Sequence, residues 1–173
     1  MNNVVYLITG VMASGKSTVA QLLASRMERG VHLHGDVFRK MIVSGRDEMR
    51  ENPPEEAFRQ LRLRYRLAAD AARTYWAHGF TVVLQDNYYG EELPRVLGLL
   101  DGCPVRTIVL CPDAETVRRR EAVRGKVGYN GFTVEALYEG FLRDTPKIGF
   151  WLDNSDQTPE ETVDAILAHF GDA

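Results

Sequence analysis

Apolar residues recur along this chain in two alternating rhythms. Short runs rich in Val, Leu and Ile, at 4–9, 31–34, 81–84, 105–110 and 148–152, read as buried strands. Longer stretches between them repeat apolar positions every three or four residues, as helices packed on one face do. The first, over 16–29, puts Val19, Leu22, Leu23 and Met27 on one side, with Gly30 placed to end it. Asp36 can cap a helix over 37–44. Residues 45–54 are polar, carry Pro53-Pro54 and read as a loop. A long helix follows over 55–78, stopped by Gly79. Further helices are expected over 93–100, over 114–124 behind Asp113, from Thr133 to Arg143, and from Pro159 to Phe170. The last has the clearest start signal, Thr158 with Glu161 three residues on. Gly125, Gly128 and Gly131 interrupt the pattern. Strand and helix alternate, which predicts an α/β fold: a five-stranded parallel sheet with helices on both faces.

Composition narrows the classes of function. At 173 residues and 45% apolar, the chain suits one α/β domain over 1–173. No run approaches the roughly 18 apolar residues of a membrane span, so no membrane partner is expected. Met1-Asn2-Asn3 runs straight into a strand without a basic leader, so no signal peptide is expected. Two cysteines, Cys103 and Cys111, suggest no disulfide framework and point to a reducing cytoplasm. The net charge of −3 argues against a nucleic-acid partner. The four histidines lack metal-ligand spacing. Basic charge is carried by 17 Arg and only 4 Lys, and one of those lysines decides the reading.

That lysine stands in Gly10-Val11-Met12-Ala13-Ser14-Gly15-Lys16-Ser17, which fits G-x-x-x-x-G-K-[ST] at every fixed position. The spacing has a physical cause. Glycines let the backbone curl until successive N–H groups converge on one phosphate. The helix that follows adds its positive end and unpaired donors. The lysine reaches the terminal phosphates, and the Ser hydroxyl ligates Mg²⁺. A chance Gly-rich turn would lack the preceding apolar strand and the following amphipathic helix. The motif predicts ATP or GTP, and the expected cofactors are ATP and Mg²⁺, bound through Gly10, Ala13, Ser14, Gly15, Lys16, Ser17 and Thr18. Asp86, at the end of the strand 81–84, is a candidate for the magnesium shell beside Ser17, or for substrate contact.

Leu33-His34-Gly35-Asp36-Val37-Phe38-Arg39 carries the acceptor chemistry. Ligands of doubly wound sheets lie beyond the carboxyl ends of strands. Asp36 sits there and could orient or deprotonate an attacking hydroxyl. Arg39, one turn later, could clamp an acidic group. The plainer alternative makes Asp36 a cap and Arg39 a solvated side chain.

At these residues the chain resembles the small-molecule P-loop kinases, a group that includes adenylylsulfate, gluconate and shikimate kinases and chloramphenicol phosphotransferase. The resemblance spans most of the chain as an order of motifs. It implies a three-layer P-loop NTPase fold with strand order 2-3-1-4-5. It also implies a lid, matched by residues 118–131, whose arginines close over ATP; Arg120 and Arg124, four apart, are the candidates. Lys126 and Tyr129 are lesser ones. Arg59, Arg62 and Arg66 on the long helix read as a solvated face. Gly35-Asp36-Val37-Phe38-Arg39 comes closest to adenylylsulfate kinase, but His34 stands where an acid is usual there, and later substrate motifs have no counterpart. The expectation is an ATP-dependent phosphotransferase acting on a hydroxyl of a small molecule, with an antibiotic or another metabolite suggested by the chloramphenicol phosphotransferase likeness. The catalytic residues expected are Asp36, Lys16, Arg120 and Arg124. The alternatives are a nucleotide or polynucleotide kinase, and an ATPase regulator marked by switch loops and a partner surface.

Overall fold

The computed structural model describes residues 3–124 and 133–171. Five strands, β1 (Val5–Gly10), β2 (Gly30–His34), β3 (Thr81–Gln85), β4 (Val105–Leu110) and β5 (Phe150–Leu152), form one all-parallel sheet in the order β2-β3-β1-β4-β5. This is the order the resemblance implied. All six residues of β1 are buried, between β3 and β4. A parallel sheet covered on both faces needs such continuously apolar central strands.

The faces alternate along each strand. Tyr6, Ile8, Val83 and Ile108 point to the side covered by α1 (Lys16–Ser25) and α7 (Pro159–Phe170). Val5, Leu7, Val82 and Leu84 point to the side covered by α3 (Glu55–Ala77) and α4 (Glu92–Leu99). A third cluster joins Val11, Met12 and Ala13 to Val117 of α5 (Ala114–Arg124) and Phe141 of α6 (Val134–Asp144), so the turn after β1 is itself packed from behind. The short α2 (Asp36–Lys40) follows β2.

Several expected boundaries move, β5 beginning at Phe150 rather than 148 among them. Helix α1 ends at Ser25 rather than 29, because Arg26 and Met27 donate to the carbonyls of Leu23 and Ala24 and tighten the last turn. Gly30 therefore begins β2 instead of ending α1. It is required for space: a Cβ there would stand 1.9 Å from the Ala24 carbonyl oxygen. Helix α2 ends at Lys40 rather than 44, and Asp36 is its first residue rather than its cap. The other caps fall where the sequence puts them. Asp113 accepts from the Thr116 N–H at 2.7 Å and Thr133 from the Ala136 N–H at 3.1 Å. Thr158 and Glu161 form a full capping box with Pro159 at the first position.

Thr158→Ala removes one half of that box. The free energy of unfolding in urea should fall by about 1 kcal/mol, with nucleotide affinity unchanged.

Candidate active site

The turn between β1 and α1 is built by backbone conformations that few residues adopt. Gly10 has φ 153 and Gly15 φ 89, and Ala13 between them is also left-handed at φ 52. A Cβ on Gly10 would stand 2.2 Å from the Leu110 carbonyl oxygen, so the turn also needs Gly where it crosses β4. Lys16 folds over the turn and is 8% exposed; its ammonium donates to the carbonyls of Gly10 at 3.0 Å and Val11 at 2.8 Å. The Ser14 hydroxyl is buried inside the turn without a partner among the described residues. From the far side, the side-chain amide of Asn154, in the loop after β5, donates to the Ser14 carbonyl at 2.9 Å.

A cavity of about 1010 Å³ opens over this turn. Ala13, Ser14, Gly15, Lys16, Ser17 and Thr18 line it, and Gly10 sits at the strand end beneath. Asp36, Arg39 and Asp86 line it as well. The phosphate residues and acceptor residues expected from the sequence thus share one cavity. Arg119 and Arg120 of α5 close another side. Arg120 donates to the Asn154 carbonyl at 3.0 Å, and burial, followed by the charge of Arg119, pushes its guanidinium below the usual value. An anion between these arginines would relieve that crowding. The side chain of Arg124 lies outside the described residues, as do Lys126, Tyr129 and the rest of the expected lid from 125 to 131.

Two residues at the end of β3 face opposite ways. Gln85 turns toward α1, where the Ser17 hydroxyl donates to its Oε1 at 3.3 Å. Asp86 turns toward α3 and is 1% exposed. Its carboxylate takes a two-pronged grip from Arg64, with Nε 2.7 Å from Oδ2, and also accepts from the Asn87 N–H at 2.7 Å. The side chain beside Ser17 is therefore an amide, while the acid expected there holds an arginine.

The sequence patterns do not single out Arg64, although Arg59, Arg62 and Arg66 around it are indeed exposed. A signal exists all the same. Arg64 falls on the stripe Ala57, Leu61, Arg64, Ala68, Ala72 that faces the core, where a charged residue needs a partner. Its third nitrogen lies 3.0 Å from Asp36 Oδ1, so one guanidinium joins two strand-end acids. Asp36 is held from the other side by Arg39, with Nε at 2.6 Å and Nη2 at 3.2 Å. Burial pushes the Asp36 carboxyl up, but the Arg39 hydrogen bond and the charges of Arg64, Arg39 and Lys40 outweigh it and hold the group at about 2. Asp36 is ionised throughout the neutral range.

A family model described as AAA domain matches residues 5–137, well over half the chain. The chain belongs to that family. This AAA domain shares its fold with solved small-molecule kinases, as the order of motifs implied. A sugar kinase from Janibacter sp. is 19% identical with TM-score 0.70, covering 99% of this chain and 96% of its own. A tunicamycin resistance protein from Deinococcus radiodurans is 18% identical with TM-score 0.71, over 98% and 96%. The APS kinase of Mycobacterium tuberculosis, solved with AMPPNP and APS, is 16% identical with TM-score 0.73, over 98% of both chains. No curated protein matches the AAA domain in sequence. Among the described residues, no group of three or more His, Cys, Asp or Glu is placed to hold a metal, and no helix is long and apolar enough to cross a membrane.

The charge cluster makes two outcomes measurable. The Asp36 carboxyl is depressed from 3.8 to about 2 on folding, so its contribution is fully present above about pH 4 and lost as the pH falls toward 2. Asp36→Asn should flatten that acid limb of the stability curve, by up to about 2 kcal/mol. Arg64→Ala, which strands Asp86 in the core, should cost about 3–5 kcal/mol in denaturant unfolding, and Arg64→Met with Asp86→Leu should cost less than Arg64→Ala alone.

Proposed function

We propose that this AAA domain is an ATP-dependent phosphotransferase that moves the γ-phosphoryl of ATP to a hydroxyl of a small molecule. One observation carries the reading: the complete phosphate-binding turn and the carboxylate of Asp36 line the same cavity. A binding module would need the turn but not an acid across the cavity from it. The presence of a sugar kinase and an APS kinase among the fold relatives agrees.

In this reading the amides of residues 13–18 and the ammonium of Lys16 cradle the phosphates. The buried, unpartnered Ser14 hydroxyl fits a phosphate oxygen as its acceptor. Arg119 and Arg120 answer the charge that spreads over the transferring group. Arg124 is proposed with them on the basis of helix spacing. The hydroxyl of Ser17, seated against the Gln85 amide oxygen, fits a magnesium ligand and its shell. Magnesium, when bound, neutralises charge on the phosphates. Asp86 reaches the reaction through Arg64, which fixes Asp36.

Asp36 receives the acceptor hydroxyl. A carboxylate held at about 2 is a weak base, so its main work is to accept the hydroxyl's hydrogen bond and aim the oxygen. That suffices for a loose transition state, in which bond breaking to the leaving phosphate runs ahead of attack and the hydroxyl proton passes to the Asp36 carboxylate only late, once bonding to phosphorus has made it acidic.

Incubation with ATP, magnesium and a metabolite library should yield one compound that gains a phosphoryl group by mass spectrometry. ATP consumption without any phosphorylated product would refute the transfer reading. Asp36→Asn should lower kcat by about 100-fold or more while leaving the Kd for ATP within about twofold.

A further inference from the structure

The cavity is electrically divided. Toward the phosphate-binding turn it presents Lys16, Arg119 and Arg120 against Glu121. The opposite wall, made by α2, the loop after it and α3, presents Arg39, Lys40 and Arg64 against Asp36, Asp47, Glu48 and Asp86. Among the described residues, that wall holds four carboxylates and three cations.

Each of those cations is already engaged. Arg39 donates to Asp36 and, through Nη1 at 2.5 Å, to Glu48. Lys40 lies 3.5 Å from Asp36. Arg64 spans Asp36 and Asp86. To meet a carboxylate, sulfate or phosphate, Arg64 would have to abandon a buried acid that is 1% exposed, and Arg39 would have to loosen its hold on Asp36 or Glu48. Glu48 is held from behind by Arg46 as well, with Nε 3.1 Å from Oε1, so the charges of this wall are already balanced among its own groups and none is left over for an anion. Arg39, which the sequence suggested as a clamp for an acidic group, is in place as a clamp for the protein's own acids. The rest of the wall suits uncharged matter: Met49, Ala57 and Leu61 supply apolar surface, and the carboxylates accept hydrogen bonds from hydroxyl or ammonium groups.

We propose that the phosphoryl acceptor carries no negative charge: it is a neutral or amine-bearing hydroxyl compound with an apolar portion, not a sugar acid, a sulfated nucleotide or a phosphorylated metabolite. This rests on the phosphotransferase reading and narrows it.

The test uses the full chain with its turn loaded by Mg-AMPPNP, and titrates gluconate and inorganic sulfate by calorimetry. The wild-type protein should bind neither anion at the acceptor wall. A double variant, Asp47→Asn with Glu48→Gln, leaves two carboxylates against the same three cations, releases Arg46 too, and should bind at least one of the anions about tenfold more tightly or better. Anion binding by the wild type that disappears in Arg39→Ala overturns the proposal, and so does a double variant that gains nothing. The AMPPNP titration that precedes these measurements reads the other question separately. Absent nucleotide binding defeats the phosphotransferase reading, whereas anion binding on a nucleotide-loaded protein defeats the charge argument alone.

Discussion

One guanidinium organises the wall of the cavity that lies away from the phosphate-binding turn. Arg64 is buried in α3 among alanines and a tyrosine, and it can be there because Asp86 meets it with both oxygens. The pair is costly to bury and costlier to break. Its remaining nitrogen points to Asp36, so the end of β3, the end of β2 and the middle of α3 are locked through one planar group. Planarity matters: a lysine could supply the charge but not three fixed directions.

The phosphate side is organised differently, by backbone rather than by charge pairs. Its turn is folded by left-handed residues, backed by Val117 and Phe141, and tied to the loop after β5 through Asn154. The two halves meet at neighbouring residues of β3, where alternation sends Gln85 to Ser17 and Asp86 to Arg64. A strand's two-residue period thus sends one of two adjacent side chains to the turn and the other to the buried arginine.

Much of this is legible in the sequence, for identifiable reasons. The strands, their parallel arrangement and the phosphate-binding turn are local patterns, and the turn's glycines carry their own steric cause. The caps at Asp113, Thr133 and Thr158 are local as well. What escapes is non-local. Nothing near Asp36 in sequence says that its carboxylate meets Arg64 of α3 as well as Arg39 of its own helix. Gly30 looks like a helix terminator until β2 is seen to graze the Ala24 carbonyl. Asp86 reads as a residue of the cavity because it follows a strand beside the turn, but its grip on Arg64, 22 residues away in the chain, leaves no local signal. Arg64 is hidden by company: three exposed arginines at similar spacing disguise the one that lies on the apolar stripe.

The glycine before Asp36 shows how far the lock extends. Gly35 has an ordinary right-handed backbone, φ −57, so no turn demands it. Yet a Cβ at that point would intrude to 2.1 Å from Asp86 Oδ2. The position is vacated for a carboxylate fifty-one residues downstream. A side chain at 35 would displace the acid at 86 and so take from Arg64 the partner that lets it lie in the core. An absent methyl group in one segment is thus what makes room for a buried charge in another.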